Sequence, residues 1–333
     1  MTKRERVLAA LSHQQTDFAP YQVEFTQQAR ERVEQYVRNP EFFDNIGNHV
    51  DGAYFDGYFI EEKPGYFRDG FGVLWNRTGA DKDIGVIEGC CIPEPDMSLY
   101  TFPPFDEKKL RAELEALLAR KNDCFKTFSI GFSMYERAWT LRGMENFLMD
   151  MAVEEDFADE LLDAICEYNL QVIRIALSYD IDGFYFGDDW GQQKGLIMGA
   201  PHWRRFIKPR MARMFAEVKK AGKPVFLHSC GDIQELFPDL IEMGLDCYQT
   251  FQPEIYDVAA VKKEYGDRLS FWGGVSTQRL LPYASPEEIK RTVKELIQVV
   301  GKNGGYIVAP THGIPGDVPP KNIVAMIEAM QQQ

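Results

Sequence analysis

Apolar residues recur at two periods along this chain, and from residue 106 onward the two periods alternate. Asp106 opens a segment whose Leu110, Leu114, Leu117 and Leu118 fall on one helical face. Short apolar runs at 124–132, 183–187, 224–227, 247–251, 269–272 and 305–309 read as strands. Between and after them, 139–152, 155–179, 201–221, 231–243, 257–265 and 319–331 read as helices. Ser285-Pro-Glu-Glu288 starts one more helix, with a capping box and Pro at the first helical position, and Gly301 ends it. The N-terminal third is less regular. Residues 3–13 predict a helix, which Asp17-Phe-Ala-Pro20 breaks. Tyr21-Gln-Val-Glu-Phe25 alternates as a strand should, 26–48 is polar and helical in pattern, and 52–56 predicts a second strand. Residues 64–103, rich in Gly, Pro and Asp, predict an irregular insertion with β-like pieces near 73–75 and 85–88.

Strand and helix in alternation mean a parallel sheet covered by helices. Counting 21–25 and 52–56 gives eight strands. The expectation is an α/β protein, a (β/α)8 TIM barrel over 1–333 as one domain, with an N-terminal extension and the insertion. A doubly wound open sheet is the alternative, but no Gly-x-Gly-x-x-Gly follows a strand.

Composition narrows the class. Of 333 residues, 45% are hydrophobic and 26% charged, as in an ordinary globular protein. The opening Met1–Leu11 stretch is charged, and no long apolar run follows, so neither a signal peptide nor a membrane span is expected. Six scattered cysteines suit reduced thiols and a cytoplasmic protein. Adjacent Cys90 and Cys91 point to opposite faces and make poor joint ligands. A net charge of −14 disfavours nucleic acid and polyanions as partners.

A barrel collects its chemistry just after the carboxyl ends of its strands. Polar residues stand there: Tyr135-Glu136-Arg137, Asp188-Asp189-Trp190 with Gln192, His228 and Cys230, Gln249 and Gln252, Ser276, and Thr311-His312. His228 and Cys230, two apart at a strand end, point to one side. Imidazole and thiolate are both good zinc ligands, and a buried cysteine beside a hydrogen-bonded histidine is the plainer reading. Asp188 and Asp189 diverge, so one of them faces the site and a capping role is open to either. Glu136-Arg137 reads as a local ion pair. Trp190 and Trp272 are candidates to wall a pocket. His13, His49 and His202 read as surface residues.

At this point the residues resemble a known family. Arg4-Glu-Arg-Val-Leu-Ala-Ala-Leu11, Gly187-Asp-Asp-Trp-Gly191, Leu227-His-Ser-Cys-Gly231, Phe271-Trp-Gly-Gly274 and Thr311-His-Gly-Ile-Pro315 with Val318-Pro-Pro-Lys-Asn-Ile323 look like the uroporphyrinogen decarboxylase superfamily, a (β/α)8 barrel. Within it the chain resembles the corrinoid-dependent methyltransferases. The Arg-rich signature by which porphyrinogen decarboxylases hold substrate carboxylates has no match after residues 21–25, where the chain reads Glu24-Phe-Thr-Gln-Gln-Ala-Arg30. The methyltransferase branch carries His-x-Cys as zinc ligands, matched by His228 and Cys230. Its coenzyme M members add a later Cys, where this chain has His312; Asp188, Asp189 and Glu24 are the other candidates for that place. The resemblance is nearer to the bacterial O-demethylase methyltransferases. It implies a zinc enzyme that moves a methyl group from an aryl methyl ether to a corrinoid (cobalamin) carried by a partner protein. Asp188 or Asp189 would be catalytic, and Glu24, Tyr135, Trp190, Gln192, Gln249, Gln252 and Trp272 would bind the small methylated substrate. A metal-independent decarboxylase of a small or tetrapyrrole acid is the alternative, and a non-catalytic binding subunit a third reading.

Overall fold

The computed structural model describes residues 1–55, 59–79 and 85–333. Its strands are β1 (Val50–Tyr54), β2 (Ile60–Lys63), β3 (Tyr66–Arg68), β4 (Leu74–Asn76), β5 (Val86–Glu88), β6 (Phe125–Ile130), β7 (Gly183–Gly187), β8 (Gly191–Gln192), β9 (Gly195–Leu196), β10 (Val225–His228), β11 (Cys247–Thr250), β12 (Ser270–Val275) and β13 (Tyr306–Pro310). The expected strand at 52–56 is β1, shifted toward the N-terminus; Asp56 lies outside the described residues.

The chain packs as two compact units, and the division falls inside β1 and β6. One unit comprises Met1–Asp51, Lys121–Thr127 and Leu245–Gln333. It holds β11, β12 and β13 as parallel neighbours, with Gln249 beside Trp272 and Trp272 beside Ile307. Every residue of these three strands is buried, as parallel strands covered on both faces require. Helix Pro286–Val299 begins with the expected capping box at Ser285, and helix Pro320–Gln331 buries Ile323, Met326, Ile327 and Met330.

The strand expected at 21–25 is not formed. Tyr21 and Phe25 make isolated parallel bridges to Val308 and Ile314. On the other edge, side chains replace the ladder: Val23 exchanges both of its backbone bonds with the Asn48 carboxamide, and Val50 N–H donates to Gln22 Oε1. Alternation placed the segment correctly and could not foresee that its pairing partners would be side chains. The helix expected over 26–48 stops at Val37, because Arg38 turns left-handed (φ 52°) ahead of Asn39-Pro40.

The second unit comprises Gly52–Arg120 and Phe128–Gly244. Its parallel strands β7 and β10 pair with Val225 opposite Phe184 and His228 opposite Gly187. The insertion is a four-stranded antiparallel sheet in the order β2-β3-β4-β5. A buried ion pair, Asp69 to Arg137 at 2.9 Å, ties it to helix Tyr135–Arg142. Arg137 therefore does not pair with Glu136, as its sequence neighbourhood suggests. Gly143, at φ 89°, splits the single helix expected over 139–152 into Tyr135–Arg142 and Met144–Val153. The helix expected over 201–221 carries a π turn at Trp203–Ile207. The one expected to start at 231 forms only from Phe237, because Gly231 holds a left-handed φ of 80°. All six cysteines are free thiols, and among the described residues no helix is long and apolar enough to cross a membrane.

Candidate functional site

The densest chemistry stands where β7 and β10 end. The loops that follow, Asp188–Gln192 and Ser229–Asp232, are stitched together through their backbones. Asp188 N–H donates to His228 O (3.0 Å), Gly191 N–H to Cys230 O (3.2 Å) and Asp232 N–H to Gln192 O (2.8 Å). Trp190 N–H donates to the buried Ser229 hydroxyl (3.0 Å), and Cys230 N–H to Asp189 Oδ1 (2.8 Å). Two glycines make this approach possible. A Cβ on Gly231 would stand 2.2 Å from the Gly191 carbonyl carbon, and one on Gly191 would stand 2.6 Å from that of Gly231.

The two aspartates do different work. Asp188 is fully buried. Its Oδ1 accepts from the amides of Met134 (3.0 Å) and Glu136 (2.9 Å), and its Oδ2 from the Tyr135 amide (2.9 Å) and the Trp190 indole. It caps the helix that starts more than fifty residues upstream. Burial pushes its pKa up to about 6, against these donors. Four N–H donors and no acceptor leave a carboxyl proton nowhere to go, so Asp188 stays ionised at neutral pH. It has no free lone pair to offer a substrate, and the catalytic role expected of it is replaced by an anchoring one.

Asp189 faces the other way. Its Oδ1 lies 3.4 Å from His228 Nε2, and the same ring nitrogen lies 3.5 Å from Cys230 Sγ. Burial alone would raise the Asp189 pKa, but His228 and the Cys230 amide outweigh it and the net shift is downward. Burial would likewise lower His228; its neighbours Tyr185, Cys230 and Asp189 raise it well above the ordinary value. Burial raises the Cys230 thiol, which His228 only partly offsets. Glu136 joins the group: burial and the charges of Asp189 and Asp188 push its pKa well up. Glu136 and Tyr185 carry no motif. The available signal was positional: Glu136 opens the helix after β6, and Tyr185 stands two residues before the end of β7.

The remaining candidates divide sharply. Trp190 and Tyr135 are fully buried, Trp190 edge-on to Trp203 and Tyr135 against Phe147. Neither can touch a substrate, so the binding role expected of both is corrected to packing. Gln192 is exposed in the β8–β9 hairpin and engages Asp232 through its backbone. Glu24 is exposed, its carbonyl taken by Ile314 N–H. In the other unit, Gln249 and Gln252 are buried, with Gln249 Nε2 donating to Thr311 O at 3.4 Å, and Trp272 is 6% exposed. His312 is exposed and follows Thr311, whose buried hydroxyl meets that of Thr277 at 3.0 Å. His49 is not a surface residue. It is 2% exposed, packed on Tyr21 and Phe18, with Nδ1 at the Tyr21 amide.

Comparison with known proteins places the chain in a family. The uroporphyrinogen decarboxylase (URO-D) family model matches residues 128–333, well over half of the chain, and the chain belongs to that family. Two relatives differ in name. A methylated-thiol–coenzyme M methyltransferase of Methanosarcina mazei is 23% identical over 192 residues, 58% of this chain and 49% of that protein. The uroporphyrinogen decarboxylase of Chlorobaculum tepidum is 25% identical over 281 residues, 78% and 77% of the two chains. This chain thus spans about half the length of the first relative and over three quarters of the second. A solved methyltransferase structure from Methanosarcina mazei superposes with a TM-score of 0.74 at 18% identity, covering 100% of this chain and 99% of that one. That likeness shows the fold, the helix-covered parallel α/β barrel expected from the alternating pattern. The chain is a methyltransferase homologue within the family.

Proposed function

We propose that this protein is a zinc-dependent methyltransferase that takes a methyl group from a methoxylated substrate, an aryl methyl ether, for a corrinoid carried by a partner protein. The observation that carries the reading is the pair formed by His228 Nε2 and Cys230 Sγ, 3.5 Å apart at one strand end. Around a four-coordinate zinc with bonds of about 2.0 to 2.3 Å, neighbouring ligand atoms stand roughly 3.3 to 3.8 Å apart. The donor set therefore fits a borderline-soft cation. His312 is the third ligand that the family resemblance implies.

Zinc, when bound, supplies Lewis acidity toward the ether oxygen, which an alkoxide or phenolate leaving group needs. The chain's own residues prepare that site. His228 would present Nε2, and Cys230 would bind as the thiolate, its proton released to solvent. Asp188 holds the loop to the helix behind it, and Trp190 and Trp203 keep water from that side. Gln249, Gln252 and Trp272 are the remaining residues that the resemblance implies for substrate binding.

Elemental analysis of wild type beside Cys230→Ser tests the reading. About one zinc per chain is expected, lost in the variant with the fold intact. Methyl transfer from 2-methoxyphenol should then require both zinc and a corrinoid protein. Metal-free wild type, or full activity of Cys230→Ser, would sink it. The Chlorobaculum likeness keeps a decarboxylase as the second reading: it predicts no zinc requirement and carbon dioxide release from a carboxylated substrate.

A further inference from the structure

We propose that Trp139 and Phe132 form the wall on which the substrate's aromatic ring rests, with the Trp139 indole N–H donating to a phenol hydroxyl carried by that ring. The inference rests on the aryl methyl ether reading above and adds to it the seat of the ring and a required substituent. Helix Tyr135–Arg142 buries six of its eight residues, and Glu136 and Trp139 are the two left half-buried. Three apart, they share one helical face. That face looks onto the strand-end cluster. The charges of Asp189, Asp188 and His228 act on Glu136, and its amide donates to Asp188 Oδ1 at 2.9 Å. The Trp139 ring thus stands one helical turn beyond Glu136, in the same compact unit as His228 and Cys230.

Phe132 reaches the same place from the strand side. It follows β6 by two residues, is half-buried, and holds a left-handed φ of 47°, which a bulky residue rarely adopts. Such strain persists where the surroundings over-determine it, and it gathers at ligand clamps. Here Ser133 N–H donates to Gly187 O (2.8 Å) and Met134 N–H to Asp188 Oδ1 (3.0 Å), which fixes the bend just after Phe132. The Phe132 ring lies 5.6 Å from Trp75 and meets Trp139 at 6.4 Å and 71°, a T-shaped pair. The tryptophans differ in what their N–H groups do. Trp190 donates to Asp188, Trp75 to Asp69, and the Trp203 N–H is buried without an acceptor. Among the described residues, the Trp139 N–H is neither bonded nor buried. An open indole donor beside an aromatic face suits a ring with an oxygen substituent. A ring carboxylate there would meet Glu136, Asp188 and Asp189 as like charges, so a neutral phenol hydroxyl is the substituent that fits.

The test is calorimetric titration with 2-methoxyphenol and with methoxybenzene, in wild type, Trp139→Phe and Trp139→Leu. Urea midpoints check that each variant is folded, and elemental analysis checks that its metal content matches wild type. Wild type should prefer 2-methoxyphenol by about 2- to 12-fold, the range of one net neutral hydrogen bond. Trp139→Phe, which keeps a ring and loses the N–H, should bind the two compounds alike. Trp139→Leu should bind each about 10-fold more weakly. The indole N–H resonance of Trp139 in isotope-labelled wild type, assigned by its absence from whichever variant folds, should move when 2-methoxyphenol is added. Equal 2-methoxyphenol affinity in wild type and Trp139→Phe, with that resonance unmoved, would overturn the wall and leave the methyltransferase reading in place. A wild type that binds neither compound would overturn the aryl ether reading and this inference with it. Ring binding that survives in wild type found to hold no zinc would sink the metal mechanism and support the wall.

Discussion

Replacing Asp188 by Asn should damage the fold far more than the same change at Asp189. Asp188 is fully buried, and each of its oxygens accepts two N–H donors. An Asn side chain keeps one acceptor and puts an NH2 group against the other pair of donors. Two accepted bonds become donor–donor contacts in a site closed to water. Bonds to a charged group contribute about 1.5 to 3 kcal/mol each, so the loss is about 3 to 6 kcal/mol. That is a large share of the roughly 5 to 15 kcal/mol by which domains are stable. With a urea slope of about 3 kcal/mol per molar, the midpoint should fall by about 1 to 2 M. Asp189→Asn, whose amide oxygen still accepts from Cys230, should shift it by much less. Urea titrations followed by far-UV circular dichroism on the two variants make the comparison. A midpoint shift under about 0.3 M in Asp188→Asn would refute the cap argument.

Gly231→Ala and Gly222→Ala form a second comparison. Both glycines have left-handed φ (80° and 69°), but a Cβ at 222 meets nothing within 4 Å, whereas one at 231 meets backbone at 2.2 Å. Gly222→Ala should lose only the conformational cost of about 1 to 2 kcal/mol. Gly231→Ala should lose more and, on the zinc reading proposed above, bind less metal; equal midpoints would show that the loops tolerate separation. His49 supplies a pH dependence. Burial, with Arg6 and Lys3 adding to it, pushes its pKa down from 6.5 to about 4. The unfolded chain therefore takes up a proton that the folded one refuses. Stability is full above pH 6.5 and falls as pH drops toward 4, by up to about 3 kcal/mol at 1.36 kcal/mol per unit. Urea midpoints of His49→Phe between pH 7 and 5 should change less than those of wild type, and parallel curves would refute the assignment.

The barrel was legible because its parallel strands are buried on both faces and so read as continuous apolar runs between amphipathic helices. Segment 21–25 failed as a strand because its second edge is satisfied by Asn48 and Gln22 side chains, which no backbone periodicity records. The His-x-Cys pair was legible because strand geometry alone sends i and i+2 to one side. The roles within Asp188-Asp189 were not. Which carboxylate is saturated depends on a helix start more than fifty residues away, and that contact has no local signature. Trp190 and Tyr135 failed for a related reason. A strand-end aromatic points either into the mouth or back under it, and here the indole N–H is claimed by Asp188. His49 looked like a loop residue because the stacking on Phe18 and Tyr21 that buries it comes from a segment about thirty residues earlier.

The site's precision follows from where the backbone leaves the ladder. Beyond Gly187 and His228 regular pairing ends, and a loop of ordinary construction would loosen there. Here the polar groups of the Asp188–Gln192 turn are taken by fixed partners. The Asp188 amide continues the ladder onto His228, the Trp190 amide goes to Ser229 and the Gly191 amide to Cys230. Glu136 is tied to the turn through its amide, which donates to Asp188 Oδ1 at 2.9 Å. The strand register is thus carried two residues past the sheet. That is the distance needed to bring His228 Nε2 within 3.5 Å of Cys230 Sγ and 3.4 Å of Asp189 Oδ1. The adjacent aspartates make this possible by taking separate roles. The one with saturated oxygens fixes the loop, and its neighbour is left available for chemistry.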